Sequence, residues 1–125
     1  MGAVGEMKMT RYFKLSEFAC RCGCGLEEVD TKLISSLELM REVYARPIRI
    51  TSGVRCPAHN RAVGGAPTSV HLEGLAADLA VRDSLERYLL VDLAIAAGFR
   101  RIGVAKSFIH IDLSPRAPAP RLWVY

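Results

Sequence analysis

No apolar run in this chain approaches the roughly 20 residues that a helix needs to cross a bilayer, so no transmembrane segment is expected. The N-terminus also lacks the apolar stretch of a secretory signal, because charges are scattered between Met1 and Lys14. Synthesis in the cytoplasm follows as the expectation, and any action beyond the membrane would need another route of release. Internal repeats and a second domain are missing too. A length of 125 residues suits one domain with a single core, expected as a monomer. Aromatic residues make up only 7%, with one Trp, and they form no aromatic–basic stripe of the kind nucleic-acid binders use. No nucleic-acid partner is therefore expected.

Cysteine is scarce and unevenly placed: Cys20, Cys22 and Cys24 are packed together, and Cys56 stands alone. Three states are open. The four thiols could bind a structural zinc, although the spacing is tighter than a C-x2-C knuckle. Cys56 could instead form a disulfide with one of the cluster, which a cytoplasmic origin disfavours. They could also be reduced thiols. One cluster alone argues against a zinc-ribbon fold. What the chain has in excess is positive charge, +4 with a pI near 9.1. That balance suits a polyanionic partner such as nucleic acid, a membrane surface or an anionic cell wall, or simply a solvated basic surface.

Residues 1–11 carry Gly2 and Gly5 without periodicity and read as a flexible tail before a domain over residues 12–125. Tyr12, Phe13, Leu15 and Phe18 can anchor the start of that domain, and the Cys20 to Gly25 run reads as a loop. Asp30 is a good N-cap for a helix over about residues 31–44, where Leu33, Leu37, Met40 and Tyr44 repeat at helical spacing beside Ile34. Pro47 opposes its continuation. Ile48 and Ile50 alternate with Arg49 and Thr51 as in a half-buried strand that leads to a bend at Gly53. Residues 56–67 read as a loop with one helical turn. Asp83 and Glu86 predict a second helix that runs to about Ala97 and stops at Gly98, with Leu85, Leu89, Leu93 and Ala96 on its apolar face. Short strands follow over 101–104, 108–113 and 122–124, the last two separated by Pro115, Pro118 and Pro120. This irregular alternation predicts a single α+β domain, a small and mainly antiparallel sheet with flanking helices.

The chemistry concentrates between Ser69 and Asp78. His71 and Asp78 are too far apart to share one helix face neatly, and Gly74 permits a turn between them. Leu75 to Val81 then reads as a buried strand interrupted by one charge. A buried carboxylate needs a cation or several donors. Zinc held by His71 and Asp78 is one answer, but it needs a third protein ligand. In the run Phe108 to Leu113, the strand period of two puts Ile109, Ile111 and Leu113 on one face and Phe108, His110 and Asp112 on the other. His110 is therefore a candidate third ligand. Two histidines and one carboxylate leave a position open for water, the layout of a catalytic zinc. A structural role for each histidine is the competing reading.

Taken in order, four segments resemble the zinc peptidases of bacterial cell walls: Ser52-Gly53-Val54-Arg55, then His59-Asn60-Arg61-Ala62-Val63-Gly64-Gly65, then Ser69-x-His71-x-x-Gly74-x-Ala76-x-Asp78, and finally Phe108-Ile109-His110-Ile111-Asp112. That family comprises D-alanyl-D-alanine carboxypeptidases and dipeptidases together with phage L-alanyl-D-glutamate endolysins, and the resemblance covers about residues 12–125. It implies zinc-dependent hydrolysis of peptidoglycan stem peptides, with Zn2+ on His71, Asp78 and His110. Arg55 then binds substrate near the scissile carbonyl or a terminal carboxylate, and Ser69 supports the ligand loop. One feature of the family is missing. Where it places a Glu, Asp or His just before the last zinc histidine, this chain has Ser107 and Phe108. Asp112 is the first candidate for the general base, or else for a carboxylate that orients a ligand. Glu73 and His59 are further candidates. The gap keeps a second reading open, a cell-wall-binding or phage structural module that retains the fold without catalysis.

Overall fold

The computed structural model describes residues 9–125. Most of the predicted tail, residues 1–8, lies outside the described residues.

Helix α1 spans Thr31–Tyr44, and the Asp30 side chain accepts the Lys32 N–H at 2.8 Å as its N-cap. Leu33, Ile34, Leu37 and Met40 form its buried face. Ala45 ends it in the left-handed conformation, φ 58°, just before Pro47. The loop expected at residues 56–67 holds a short helix α2, Pro57–Ala62, with Pro57 in the first turn where its missing N–H costs nothing.

Helix α3 spans Ser84–Ala96, and Asp83 accepts the Glu86 N–H at 2.8 Å. Its predicted apolar face needs correction in part: Leu89 and Leu93 are half-buried, Leu93 against the core, but Glu86, Leu90 and Ala94 are the buried residues while Leu85 is 62% exposed and Ala96 is exposed as well. The buried stripe lies one residue later, roughly 100° around the helix. The cause is the capping carboxylate, which turns back to accept the Arg82 N–H at 2.9 Å and pairs with the Arg82 guanidinium. Glu86 therefore occupies the inner side of the first turn, and Leu90 and Ala94 follow it at intervals of four residues.

Five strands, β1 (Ile50–Ser52), β2 (Ala76–Ala80), β3 (Arg101–Val104), β4 (Phe108–Asp112) and β5 (Arg121–Val124), form one sheet in the order β1-β2-β4-β3-β5. Every neighbouring pair is antiparallel except β3 and β5, which run parallel. The domain is thus α+β with a mainly antiparallel sheet. Strand alternation divides the sheet into two faces. Ala77, Leu79, Ile102, Ile109 and Ile111 point into a core shared with Leu33, Leu37, Met40, Leu90 and Ala94 of the two long helices. Burying each of the larger side chains contributes about 1.5–3 kcal/mol. On the opposite face the register places Ser52, Asp78, His110, Gly103 and Trp123 in one transverse row. The hydrophobic pattern that sends the isoleucines inward fixes that row, because a slip of one residue would exchange the two faces.

Candidate metal centre

His71 reaches the row from outside the sheet. It sits on a short 3-10 turn, Val70–Glu73, where the Ser69 hydroxyl accepts the His71 N–H at 3.2 Å. Gly74 closes the turn with φ 70°, and a Cβ there would lie 2.6 Å from the Glu28 carbonyl oxygen. Glycine is required on both counts. The chain then enters β2 and delivers Asp78 opposite His110 on β4.

Both histidines converge on one carboxylate oxygen. His71 Nε2 lies 3.3 Å from Asp78 Oδ1, and His110 Nδ1 lies 3.0 Å from the same atom. All three residues are buried. The outer ring nitrogens are tied off. His71 Nδ1 is 2.7 Å from the Gly53 carbonyl. A carbonyl only accepts, so Nδ1 carries a proton and Nε2 is the ring nitrogen that turns inward. His110 Nε2 lies 2.7 Å from Asp112 Oδ2, which leaves Nδ1 as the inward atom. Backing of this kind fixes the tautomer and orientation of a metal-binding imidazole. A tetrahedral zinc with bonds of about 2.0–2.2 Å separates its ligand atoms by roughly 3.3–3.6 Å. The His71 separation matches that spacing, the His110 separation is a few tenths of an ångström shorter, and the three ligand atoms lie within 4.8 Å of one another, so the mixed nitrogen–oxygen donor set fits that ion.

Asp112 stands behind His110, with both oxygens engaged. Oδ1 accepts from Arg101 Nε at 2.9 Å and from the Ser114 N–H at 3.0 Å, and the carboxylate is fully buried. Arg101 is opposite Asp112 in the sheet register, lies 4.9 Å from the centre of the Trp123 ring, and donates to the Pro118 carbonyl at 2.7 Å. Trp123 in turn faces the His110 ring at 5.5 Å. Gly103 makes room for it, since a Cβ there would fall 2.6 Å from Trp123 Nε1.

Arg55 approaches from the other side. Its Nη2 is 3.7 Å from Asp78 Oδ2, its Nη1 donates to Asn60 Oδ1 at 3.1 Å and its Nε donates to Ser52 Oγ at 3.3 Å. The Arg55 N–H donates to the His71 carbonyl at 3.0 Å, so the two loops are joined at the backbone. Asn60 is 2% exposed and its amide donates to the Ala66 carbonyl at 2.8 Å. Gly65 passes so close that a Cβ would lie 2.1 Å from Asn60 Oδ1.

The remaining candidates, Glu73 and His59, are not part of the His71, Asp78 and His110 group. Glu73 pairs with Arg116, and both line a groove of about 600 Å³ with Ser69 and Arg101 that none of the three candidate ligands lines. The His59 backbone N–H donates to Cys56 Sγ at 3.4 Å on helix α2. Residue patterns did not single out Arg101, Asn60, Trp123 or Tyr125. Asn60 did lie within a quoted motif, and Arg101 and Gly103 share an alternation that a register would have exposed. Tyr125 is the chain's last residue, and burial followed by the charge of Asp78 raises its phenol pKa.

The ionisable groups of the cluster shift one another's pKa values. Burial pushes the Asp78 pKa up, yet hydrogen bonds from His110 and His71 outweigh it and hold the carboxyl at about 2. Burial also disfavours a charge on His110, but its bonds to Asp112 and Asp78 prevail and raise its pKa. Asp112 is likewise lowered, because His110, the Ser114 N–H and Arg101 together overcome burial. The two carboxylates thus favour the protonated form of His110.

A sheet face that brings two backed histidines and a carboxylate together beside a held guanidinium has the donor set of a group that could hold a metal ion. The family model for Peptidase M15 matches residues 11–112, a span that takes in Arg55, His71, Asp78, His110 and Asp112. The chain belongs to that family, the one its sequence resembles, and is accordingly a peptidase acting on a peptide substrate. A search among curated proteins found no match. Among the described residues, no helix is long and apolar enough to cross a membrane.

Proposed function

We propose that this peptidase is zinc-dependent and cleaves peptide bonds in peptidoglycan stem peptides, as a D-Ala-D-Ala carboxypeptidase or an L-Ala-D-Glu endopeptidase. The observation that carries the reading is the convergence of His71 Nε2 and His110 Nδ1 on Asp78 Oδ1. A zinc ion held there supplies a Lewis acid for the scissile carbonyl and an activated water near neutral pH. The chain's own residues do the rest. The Gly53 carbonyl and Asp112 hold the two imidazoles in the ligating tautomers. Arg55, braced by Asn60 and Ser52, binds a pair of substrate oxygens, either at the carbonyl or at a terminal carboxylate. Asp112 acts through His110 as a positioning residue, because its oxygens are taken by His110, Arg101 and Ser114. The net charge of +4 favours approach to an anionic wall, where the protein would meet this substrate.

The test is release of new amino groups from purified sacculi or synthetic stem peptides by the zinc-loaded chain. His71→Ala is expected to abolish it. Equal release by wild type and variant, or none from a wild type that holds its zinc, would sink the proposal. The second outcome favours the other reading, a wall-binding module without hydrolysis. That reading draws on Ser107 and Phe108, which stand where the family carries its base.

A further inference from the structure

We propose that Cys20, Cys22, Cys24 and Cys56 bind a second, structural zinc ion that fastens the Arg55 loop to the N-terminal part of the domain. The four Sγ atoms lie within 4.8 Å of one another. Cys20 Sγ is 3.5 Å from Cys22 Sγ, and Cys22 Sγ is 3.7 Å from Cys56 Sγ. Tetrahedral zinc with Zn–S bonds of about 2.3 Å separates its sulfurs by roughly 3.8 Å. A four-sulfur set of this geometry selects zinc or a single iron among the common ions.

The backbone around the thiols is arranged for ligation. Gly23 and Gly25, at φ 85° and 91°, fold the Cys-x-Cys-x-Cys run into a tight loop, closed by the Cys20 N–H donating to the Leu26 carbonyl at 2.7 Å. Two further N–H groups aim at sulfur: that of Cys56 donates to Cys20 Sγ and that of His59 to Cys56 Sγ, each at 3.4 Å. Such donors offset the negative charge that thiolates bring. Cys20 is buried, whereas Cys22 and Cys24 are exposed, so an ion can enter from solvent. On binding, the thiol protons pass to solvent and the dication takes their place.

The position gives this clip its purpose. Cys56 follows Arg55 directly and caps helix α2, which carries Asn60. The Val54 N–H donates to the Phe18 carbonyl at 3.0 Å, two residues before Cys20. Gly53 packs so tightly there that a Cβ would lie 2.4 Å from the Phe18 oxygen. One ion bridging residues 20–24 to Cys56 therefore immobilises the segment that presents Arg55 and backs His71. It uses none of the donors of the peptidase site, so the two proposals stand or fall separately.

Metal analysis and cobalt spectroscopy test it. The wild type should carry two zinc ions per chain. Its cobalt form should show the intense near-ultraviolet charge-transfer band of thiolate–cobalt bonds. Cys22→Ser/Cys24→Ser should lose one equivalent and that band. His71→Ala/His110→Ala, which keeps every cysteine, should lose the other equivalent and keep the band. The histidine variant decides the matter by itself should the cysteine variant fail to fold. The proposal is overturned by a cobalt form without the band, by a histidine variant that binds no metal, or by thiol titration that finds a disulfide in the unreduced protein.

Discussion

Asp112 shows how much of this site rests on a side chain that need never meet substrate. Its Oδ2 accepts a hydrogen bond from His110 Nε2 and so selects Nδ1 as the inward nitrogen. Asp112→Asn keeps the volume but weakens that bond and the pairing with Arg101. Changes to partners of this kind lower metal affinity or activity by about 10–100-fold. We expect a loss of zinc affinity in that range by chelator competition, with the fold retained by circular dichroism. Unchanged affinity would remove Asp112 from the supporting role. The same residue marks the limit of what the sequence disclosed. His71, Asp78, His110 and Arg55 were legible because ligand chemistry and ordered motifs named them one at a time. Arg101 and Trp123 were not, because their roles depend on which strand lies beside which, and Asn60 was visible only as part of a motif, without its bond to Arg55. Nothing local to Arg101 says that it faces Asp112 or lies against Trp123.

Elements were easier to place than their orientations. Asp30 and Asp83 both accept the N–H bonds expected of helix caps, and α1 spans the predicted residues. Helix α3 was placed well but turned wrongly, since counting leucines from Leu85 ignores a capping carboxylate that reaches back to Arg82. The correction is testable by truncation. Leu90 is 1% exposed and Leu85 62%. Leu90→Ala should cost about 2–5 kcal/mol of unfolding free energy. Leu85→Ala should fall within about 0.5 kcal/mol of wild type. Urea denaturation of both variants separates the two faces, and equal effects would restore the predicted one. The parallel strand β5 was the least legible element. Its prolines announced an extended connection, but its place beside β3 follows from Trp123 covering Gly103 and His110.

At the scale of the molecule, the site holds a cluster of charges beneath a sheet that packs its other face as an apolar core. That division makes stability depend on pH in a definable way. In the metal-free chain the Asp78 pKa is depressed from the usual 3.8 to about 2. Its contribution to stability is complete above the unfolded value and disappears as pH falls through the folded one. The His110 pKa is raised above the usual 6.5, so its contribution is complete below 6.5 and is lost as pH rises through the raised value. Together they place the most stable window of the metal-free chain between about pH 4 and pH 6.5. Zinc competes with the His110 proton for the same nitrogen, so its stabilising effect must grow as pH rises out of that window. Thermal unfolding across pH, with and without zinc, measures both trends. The midpoint without metal should decline on the alkaline side, and the increment from zinc should widen there. An increment independent of pH would mean that zinc does not displace that proton, and that the charge holding Asp78 and Asp112 together is not the one the metal replaces.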